Sequence, residues 1–391
     1  MSRLNLIATA AFGLEAVVSR ELTDLGYGTQ QVEDGRVRFV GDELAVCRTN
    51  LWLRSADRVL IEVGSFPARS FGQLFDQTTE LPWEQWVPAD GKFPVEGKSI
   101  RSGLHHVPTI QSVVKKAIVE RLKKSYQRHW FQETGVEYPI EVGLLRDQVT
   151  LTIDTSGAGL HKRGYRRVAG IAPLRETTAA ALVLLSYWNA QRPFLDPFCG
   201  AGTIAIEAAL IGRNRAPGIN RNFLAETWGQ IQRETWKQAR EEARDAIKGK
   251  FASQLVASDI DPQAIKLAET AAADAGVMGD IQFRTMDVLE LKTQREYGVV
   301  ICNPPYGERM GDEDHAAAIY DDMADAFDPL TTWSIYVLTG HPGFERHFRR
   351  RADRRRKLYN GRIECTYYQY FGPRPPGDAF HPTEDQPDPS A

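Results

Sequence analysis

Residues 1–66 alternate short apolar runs with a segment of helical periodicity. The predicted strands are 4–9, 37–40 and 58–65. Apolar residues spaced three or four apart over 12–25 predict a helix, and Asp42 stands where its side chain can cap a second one. This alternation predicts a small ferredoxin-like α+β domain.

Residues 67–167 combine further helix and strand patterns with a local excess of positive charge. The predicted elements are helices at 71–86 and 109–126, a strand at 92–99 and a hairpin at 140–154. Between Lys92 and Arg128, nine Lys or Arg residues stand against two acids, although the whole chain has a net charge of −3. Such a patch is typical of phosphate binding, and a lysine-rich helix face exposed to solvent is the alternative.

Residues 168–374 alternate strands and helices at the spacing of βαβ units. The predicted strands are 192–198, 254–260, 281–285, 299–302 and 334–338. Asn360-Gly361 is a strong hairpin signal within 357–371, which places an antiparallel pair at one edge. We therefore expect an α/β domain with a Rossmann-like, doubly wound sheet of seven strands. The acidic, proline-rich residues 375–391 predict a disordered tail.

Composition and cysteine usage exclude several classes of protein. Of the 391 residues, 42% are hydrophobic and 25% are charged, which is ordinary for a globular protein. No apolar run is long enough to span a bilayer, and the N-terminus lacks the features of a secretory signal. The four cysteines are far apart and form no CxxC pair. This spacing argues against zinc and disulfides and favours the cytoplasm.

Four segments that follow predicted strands carry polar groups suited to a ligand. Asp196 precedes a glycine-rich turn at 199–203, Asp259 ends the next strand, Asp287 follows the third, and Asn303 follows the fourth. Because the carboxyl ends of parallel strands meet at one edge, we expect these groups to lie together. The turn lacks the third glycine of the dinucleotide motif, and an acid before it favours a cationic amino-acid group. Asp259 suits a ribose, and Asp287 suits an adenine amine.

The segment Asn303-Pro304-Pro305-Tyr306 predicts a substrate site. Proline cannot donate a backbone hydrogen bond, so the apolar strand at 299–302 must end there. This ending leaves the Asn303 amide and the Tyr306 ring at the edge of the sheet. An amide, proline carbonyls and an aromatic face suit a planar base that carries an exocyclic amine. A plain proline-rich turn is the alternative for the motif taken alone.

Together these motifs resemble those of a known family. DPFCGAGT from Asp196, SDIDP around Asp259 and NPPYGERM from Asn303 are similar to the motifs of class I S-adenosylmethionine-dependent methyltransferases that act on exocyclic amines. Within that class the chain most resembles THUMP-domain RNA methyltransferases, and among them the bacterial 23S rRNA guanine-N2 enzymes. The segments VEGKSIRSGL at 95–104 and QSVVKKAI at 111–118 resemble the THUMP core, so the resemblance covers nearly the whole chain except the tail.

The resemblance implies the cofactor S-adenosylmethionine, a 23S rRNA guanine as substrate and no metal. The implied catalytic residues are Asn303, Pro304, Pro305 and Tyr306. The implied cofactor-binding residues are Glu176, Asp196, Phe198, Gly200, Gly202, Thr203, Asp259, Ile260, Asp287, Val288 and Asn303. The Asn303 oxygen and the Pro304 carbonyl are expected to accept the two N–H groups of the amine, while Tyr306 stacks on the base.

A second basic cluster at 346–357 has eight Lys or Arg residues against a single acid, Asp353. We predict that this arginine run lies beside the catalytic edge and contacts RNA phosphates. The expected RNA-binding residues of the two clusters are Lys98, Arg101, Lys115, Lys116, Arg350, Arg351 and Arg354. The rival functions are a tRNA guanine-N2 methyltransferase, a DNA amine methyltransferase and a non-catalytic RNA-binding assembly factor.

Overall fold

The computed structural model describes residues 3–166, 174–251, 254–306 and 313–376. The strands are β1 (Leu4–Ala10), β2 (Gln30–Glu33), β3 (Arg36–Gly41), β4 (Ala56–Pro67), β5 (Val95–Ile100), β6 (Ile140–Leu145), β7 (Gln148–Asp154), β8 (Phe194–Asp196), β9 (Leu255–Asp259), β10 (Ile281–Thr285), β11 (Val299–Cys302), β12 (Ser334–Thr339), β13 (Arg354–Asn360) and β14 (Ile363–Tyr370). The helices are α1 (Glu15–Asp24), α2 (Glu43–Trp52), α3 (Phe71–Glu80), α4 (Val107–Tyr126), α5 (Glu176–Leu184), α6 (Thr203–Gly212), α7 (Arg233–Asp245), α8 (Pro262–Ala275), α9 (Glu313–Phe327) and α10 (Phe344–His347). Of the predicted tail, residues 377–391 lie outside the described part.

The first sheet joins the two N-terminal regions. Its strand order is β2-β3-β1-β4-β7-β6-β5, and β4 pairs with β1 on one side and with β7 on the other. The predicted ferredoxin-like and THUMP regions therefore share one continuous sheet through this long strand. The sequence pattern missed β2, because its residues, Gln-Gln-Val-Glu, are mostly polar and none of them is buried.

The second sheet has the predicted Rossmann-like organisation. Its order is β10-β9-β8-β11-β12-β14-β13, in which β8 to β12 are parallel and β14 runs antiparallel to both of its neighbours. All four residues of β11 are buried, as expected for a parallel strand covered on both faces. The predicted hairpin turn shifts by one residue: Asn360 pairs with Ile363, and the turn is Gly361-Arg362, with φ +63° at Gly361.

The segment between α6 and β9 fixes the two halves of the molecule together. Phe223, Trp228 and Trp236 from this segment belong to the same buried core as the first sheet. Trp236 lies on α7, which packs against α2, and the Arg48 guanidinium of α2 donates to both carboxylate oxygens of Glu242, at 2.7 and 2.8 Å. The N-terminal half and the catalytic half are therefore joined by a shared apolar core.

Among the described residues, no helix is long and apolar enough to cross a membrane.

Truncation of Trp236 should destabilise this junction. The indole is 3% exposed and stacks on Phe223, with ring centroids 5.5 Å apart. We expect Trp236→Ala to cost about 3–5 kcal/mol, because a large cavity forms in the shared core. Urea unfolding followed by circular dichroism measures the loss. Trp236→Phe is the control, since it keeps an aromatic ring there; equal losses for the two variants would contradict this role of the ring.

Candidate active site

Asn303 follows β11 at the carboxyl edge of the second sheet, and the environment of its side-chain oxygen is unusual. Its Oδ1 atom is buried and accepts no hydrogen bond from any residue that the structure describes. A buried acceptor without a partner costs about 1–3 kcal/mol, so it calls for an explanation. Pro304, which follows it, is buried, and Pro305 is exposed. The Asn303 oxygen is therefore available to a donor that the described residues do not supply.

The Pro305 carbonyl is held by the neighbouring helix. Tyr320 of α9 donates its hydroxyl to this carbonyl at 2.8 Å, and the same hydroxyl lies 2.9 Å from Thr339 Oγ1 at the end of β12. Tyr320 is fully buried, so the contact is sheltered from water. This contact fixes the backbone at Pro305, and sequence periodicity gave no sign of it.

Tyr306 is held by the edge hairpin. Its hydroxyl accepts a hydrogen bond from Asn360 Nδ2 at 2.6 Å. Its ring packs against Gly340, where an added Cβ would lie 3.3 Å from Tyr306 Cδ2. The ring is therefore fixed in position before any base arrives. The predicted turn drew attention to Asn360 as a turn residue, but not to its side chain as a support for Tyr306.

The glycine-rich turn after β8 is built for a close approach. Gly200 and Gly202 have φ of +50° and +75°, which favour glycine. A Cβ at Gly202 would lie 2.9 Å from Ala268 Cβ on α8, whereas a Cβ at Gly200 would meet no atom within 4 Å. Gly202 thus lets α6 pack on α8, and Gly200 faces open space. Such a cradle of backbone fits the amino-acid end of a cofactor.

Asp259 ties this turn to the end of β9. Its Oδ2 accepts from the Gly200 amide at 2.9 Å, and its Oδ1 accepts from the Asp261 amide at 3.0 Å. Asp261 itself caps α8 by accepting from Gln263 N at 2.8 Å, as its position before Pro262 predicts. Because each carboxylate oxygen has two lone pairs, Asp259 keeps acceptor capacity for a ligand hydroxyl.

Asp196 is the most buried acid of the edge. It is 1% exposed, its Oδ2 has no partner among the described residues, and its Oδ1 accepts from the Phe198 amide at 3.4 Å. Burial raises the pKa of Asp196 well above its ordinary value, and the nearby Asp259 charge acts in the same direction. A bound cation would stabilise the ionised carboxylate. The site thus fits a positively charged amino group.

The far end of the edge offers an apolar surface. Ile260, directly after β9, is 69% exposed, and the half-buried Phe198 packs on the core that contains Val288. Asp287 caps the short turn of helix at 288–290 by accepting from Leu289 N at 2.9 Å. An exposed aliphatic side chain next to a carboxylate suits a flat ring that carries an amine.

Arg166 organises the opposite end of the site and was missed as a site residue. Its guanidinium donates to Thr203 Oγ1 at 2.6 Å and to the Leu174 carbonyl at 3.0 Å, and it lies 3.7 Å from Glu176 Oε1. Burial raises the pKa of Glu176, while Arg166 opposes the rise. The sequence showed Arg166 only as one of several basic residues, so its contact with Thr203 had no distinguishing signal.

A buried ion pair lies behind the glycine turn. Glu207 of α6 is fully buried, and its Oε1 accepts from the Tyr165 hydroxyl at 2.9 Å and lies 3.4 Å from Arg163 Nε. Arg163 also donates to carbonyls of the N-terminal half, at Leu160 and Arg54. Glu207, in the middle of the apolar helix α6, therefore joins the catalytic domain to the segment that contains Arg163 and Tyr165 and leads into that domain.

The first basic cluster is only partly free for a ligand. Lys115 donates to the Phe93 carbonyl at 2.9 Å and pairs with Glu133 at 2.7 Å, and burial lowers its pKa. Lys115 therefore stabilises the domain from within, and we do not retain it as an RNA contact. The exposed candidates of this cluster are Lys98, Arg101 and Lys116. Of these, Lys98 pairs with Glu141.

One member of the arginine run, Arg354, lies away from the catalytic edge. Arg354 opens β13 and pairs with Gln369 of β14, which in turn pairs with Tyr336 in the middle of β12. β13 is the third strand from β11, roughly 14 Å away at the usual strand spacing. The far end of β13, at Asn360, is the part that reaches the site. A linear cluster of arginines could not reveal this placement.

Within the run, several cations are already paired. Arg349 pairs with Asp325, Arg355 with Glu345 and Lys357 with Glu364. The remaining candidates form no ion pair within the part of the chain that the structure describes; they are Arg350, Arg351 and Arg354. Arg346 and Arg356 likewise form no ion pair with the described residues, so pairing alone does not single out the three predicted RNA contacts.

A parallel sheet with a glycine turn, ordered acids and an Asn-Pro-Pro-Tyr end at its carboxyl edge defines a class I methyltransferase domain. Residues 163–369 match the family described as the RMKL-like methyltransferase domain, and the chain belongs to that family. Residues 5–60 match the RlmL ferredoxin-like domain, and residues 68–154 match the THUMP domain. The expected fold class and family resemblance are thereby confirmed.

Three relatives share nearly the full architecture. YpsC of Bacillus subtilis (strain 168), provisionally named an RNA methyltransferase, is 50% identical over 373 residues, which is 95% of this chain and 97% of YpsC. A protein from Listeria monocytogenes str. 4b F2365, described as a predicted N6-adenine-specific DNA methylase, is 50% identical with a TM-score of 0.91 and covers 95% of this chain and 97% of its own. SMU.472, provisionally called a methyltransferase and solved with SAH, is 43% identical with a TM-score of 0.91, covering 96% of this chain and 100% of its own. The expected cofactor, S-adenosylmethionine, agrees with this family and with that bound molecule.

Asp259→Asn should weaken cofactor binding. The Asn side chain has one oxygen, so it can accept from only one of the two backbone N–H groups, and its NH₂ group faces the other. The hydrogen bond that holds the Gly200 turn is thereby lost. We expect roughly a tenfold loss of affinity, equivalent to about one hydrogen bond to a charged group. Titration calorimetry with S-adenosylhomocysteine measures it. Asp261→Asn is the matched control, because Asn caps a helix as well as Asp does; an unchanged affinity in Asp259→Asn would refute the role given to Asp259.

The affinity for the cofactor should also depend on pH, because Asp196 titrates. Because its pKa is raised, the carboxyl of the free protein stays protonated at pH values where an ordinary Asp is ionised, and a bound ammonium group expels that proton. Affinity should therefore rise with pH up to the raised pKa and then level off. Calorimetry in buffers of different ionisation enthalpy counts the released proton. In Asp196→Asn both the affinity and its pH dependence should fall; a pH dependence that survives this substitution would assign it to another group.

Proposed function

We propose that this chain transfers a methyl group from S-adenosylmethionine to the N2 amine of a guanine in 23S rRNA. The observation that carries the proposal is the buried Oδ1 atom of Asn303 at the carboxyl edge of β11, which accepts no hydrogen bond from the described residues. An acceptor held without a partner suits an N–H donor on the substrate, and an exocyclic amine brings two such donors.

The side chains of the loop orient the amine. The bound cofactor supplies an electrophilic sulfonium methyl group, so the main task of the protein is to align the acceptor nitrogen with it. Asn303 Oδ1 and the Pro304 carbonyl accept the two N–H groups, which directs the nitrogen lone pair toward the methyl group and stabilises the positive charge that develops on nitrogen. Asn303 does not titrate, so the proton that the nitrogen gives up passes to solvent.

The base must leave its helix to reach this loop. Tyr306, held by Asn360 and Gly340, offers a ring on which the extruded base stacks. A ring that is fixed in advance loses little conformational freedom when the base binds, which favours stacking. Tyr320 is a positioning residue that does not touch the base. Its hydrogen bond to the Pro305 carbonyl fixes the path of the backbone through the two prolines.

Several observations support RNA as the substrate. The chain carries a THUMP domain, and its relative YpsC is named for action on RNA. The resemblance of the sequence motifs to the bacterial 23S rRNA guanine-N2 enzymes is the ground for proposing 23S rRNA rather than tRNA. The phosphate contacts that we propose are made by Lys98, Arg101, Lys116, Arg350, Arg351 and Arg354.

A second candidate substrate is an adenine N6 amine in DNA. The Listeria relative is named for that reaction, and the Asn303 loop offers an adenine amine the same two acceptors. The THUMP domain favours RNA over DNA as the carrier of the base. Incubation with labelled S-adenosylmethionine and either rRNA, tRNA or duplex DNA separates these substrates, and nucleoside mass spectrometry separates N2-methylguanosine from N6-methyladenosine. Label in DNA alone would overturn the proposal.

Asn303→Ala should abolish most turnover while leaving the cofactor bound. The substitution removes an acceptor that acts on developing charge, for which losses of about 10²–10³ in kcat are typical. Single-turnover methylation of rRNA measures the loss, and calorimetry with S-adenosylhomocysteine checks the cofactor site. Asn5→Ala, at an exposed position of β1, is the control. Full activity in Asn303→Ala would refute the proposed mechanism.

A further inference from the structure

A cleft separates the ferredoxin-like domain from the edge hairpin of the catalytic domain. It has a volume of about 440 Å³. Phe12 and Asp57 line it from the N-terminal side, Arg175 and Thr177 line it from the start of α5, and Tyr359 lines it from β13. None of these side chains is among those assigned above to the cofactor or to the Asn303 loop, so the role of the cleft is open.

The apolar wall of the cleft is an aromatic corner. Phe12 is 53% exposed, and its ring meets Tyr359 edge to face, with centroids 6.0 Å apart and planes at 76°. The next residue, Gly13, has φ +88°, and a Cβ there would lie 2.8 Å from the Lys357 carbonyl oxygen. This backbone contact fixes Phe12 against the hairpin. An exposed ring held rigidly at the mouth of a cleft suits stacking on a planar group.

The polar wall combines one acid, Asp57, with one exposed cation, Arg175. Asp57 is partly buried, its Oδ1 accepts from Thr177 Oγ1 at 3.4 Å, and burial raises its pKa, with Arg175 opposing the rise. Arg175 is exposed and forms no ion pair with the described residues. Behind the rim, burial and the neighbouring Arg175 and Lys162 lower the pKa of His161 to about 4. The exposed Arg175 guanidinium therefore offers a contact for a phosphate, while Asp57 offers an acceptor for N–H groups.

The cleft adjoins the catalytic loop through a single residue. Tyr359 and Gly361 line the cleft, and Asn360 between them donates to the Tyr306 hydroxyl at 2.6 Å. The support of Tyr306 and the wall of the cleft are therefore consecutive residues of one hairpin, which places the cleft next to the proposed base site. A ring, a cation and a carboxylate are the groups that contact the base face, the phosphate and the Watson–Crick edge of an unpaired nucleotide.

We propose that this cleft binds the nucleotide next to the methylated one in the substrate RNA. Phe12 stacks on its base, Arg175 binds its phosphate, and Asp57 accepts from N–H groups on its Watson–Crick edge. Guanine presents two such donors side by side, N1–H and N2–H, so the cleft favours guanine there. The inference rests on the proposed action on RNA and extends it to a sequence preference around the target.

Phe12→Ala tests the stacking contact. In the full chain, with 23S rRNA transcript as substrate, KM for RNA should rise roughly tenfold, in the range typical for loss of one stacked base, while kcat at saturating RNA and S-adenosylhomocysteine affinity stay unchanged. Phe12→Trp should restore the wild-type KM. Val32→Ala is the matched control, since Val32 lies in the same domain and is 52% exposed. An unchanged KM in Phe12→Ala would overturn the proposal.

Synthetic RNAs that span the mapped target then identify the neighbour. An abasic site on the 5′ or the 3′ side should raise KM for the wild type roughly tenfold or more on one side only, and it should raise KM less for Phe12→Ala, which has already lost the stacking contact. Replacement of a guanine at that position by inosine, which lacks the N2 amine, should raise KM for the wild type but not for Asp57→Ala. Equal responses of wild type and variants to every substitution would overturn the cleft assignment. Absence of RNA methylation by the wild type would instead overturn the proposed function.

Discussion

Two prolines at the end of a fully buried strand set the layout of the catalytic domain. β11 lies between β8 and β12, and its backbone hydrogen bonding must stop where Pro304 and Pro305 supply no N–H group. The chain therefore leaves the sheet at the edge where the glycine turn and Asp259 already lie, and it leaves there an amide oxygen that the described protein does not satisfy. Tyr320 and Asn360 then support the loop rather than create it.

The relation between the two halves is the second constraint. A site assembled from the catalytic domain alone would hold a cofactor and a base, but the cleft at Phe12 exists only because the ferredoxin-like domain is held against the hairpin. The shared core around Trp236 and the buried pair of Arg163 with Glu207 hold the ferredoxin-like domain in place against the catalytic domain. Recognition of the bases around the target is thus coupled to packing far from the chemistry.

The sequence predicted what is local and missed what is distant along the chain. Strand ends, the Asp42 and Asp261 caps and the order of the acids follow from periodicity and from neighbouring residue types. The Asn360 support for Tyr306 and the contact of Arg166 with Thr203 join residues far apart in the chain, and no period marks them. The partner of Lys115 and the position of Arg354 were missed for a related reason, because charge counts show neither which cations have partners nor where in the fold they lie.

The long strand β4 has a consequence for the history of this architecture. The matches to the ferredoxin-like and THUMP families end at residue 60 and begin at residue 68, so the border between two modules falls inside one strand, Ala56–Pro67. Recombination at that border would divide the sheet into two parts, each with an edge strand whose backbone groups are unpaired. Such edge strands tend to pair with other chains. The two modules are therefore expected to be inherited as a unit, and a THUMP domain combined with another N-terminal partner must bring an equivalent bridging strand with it.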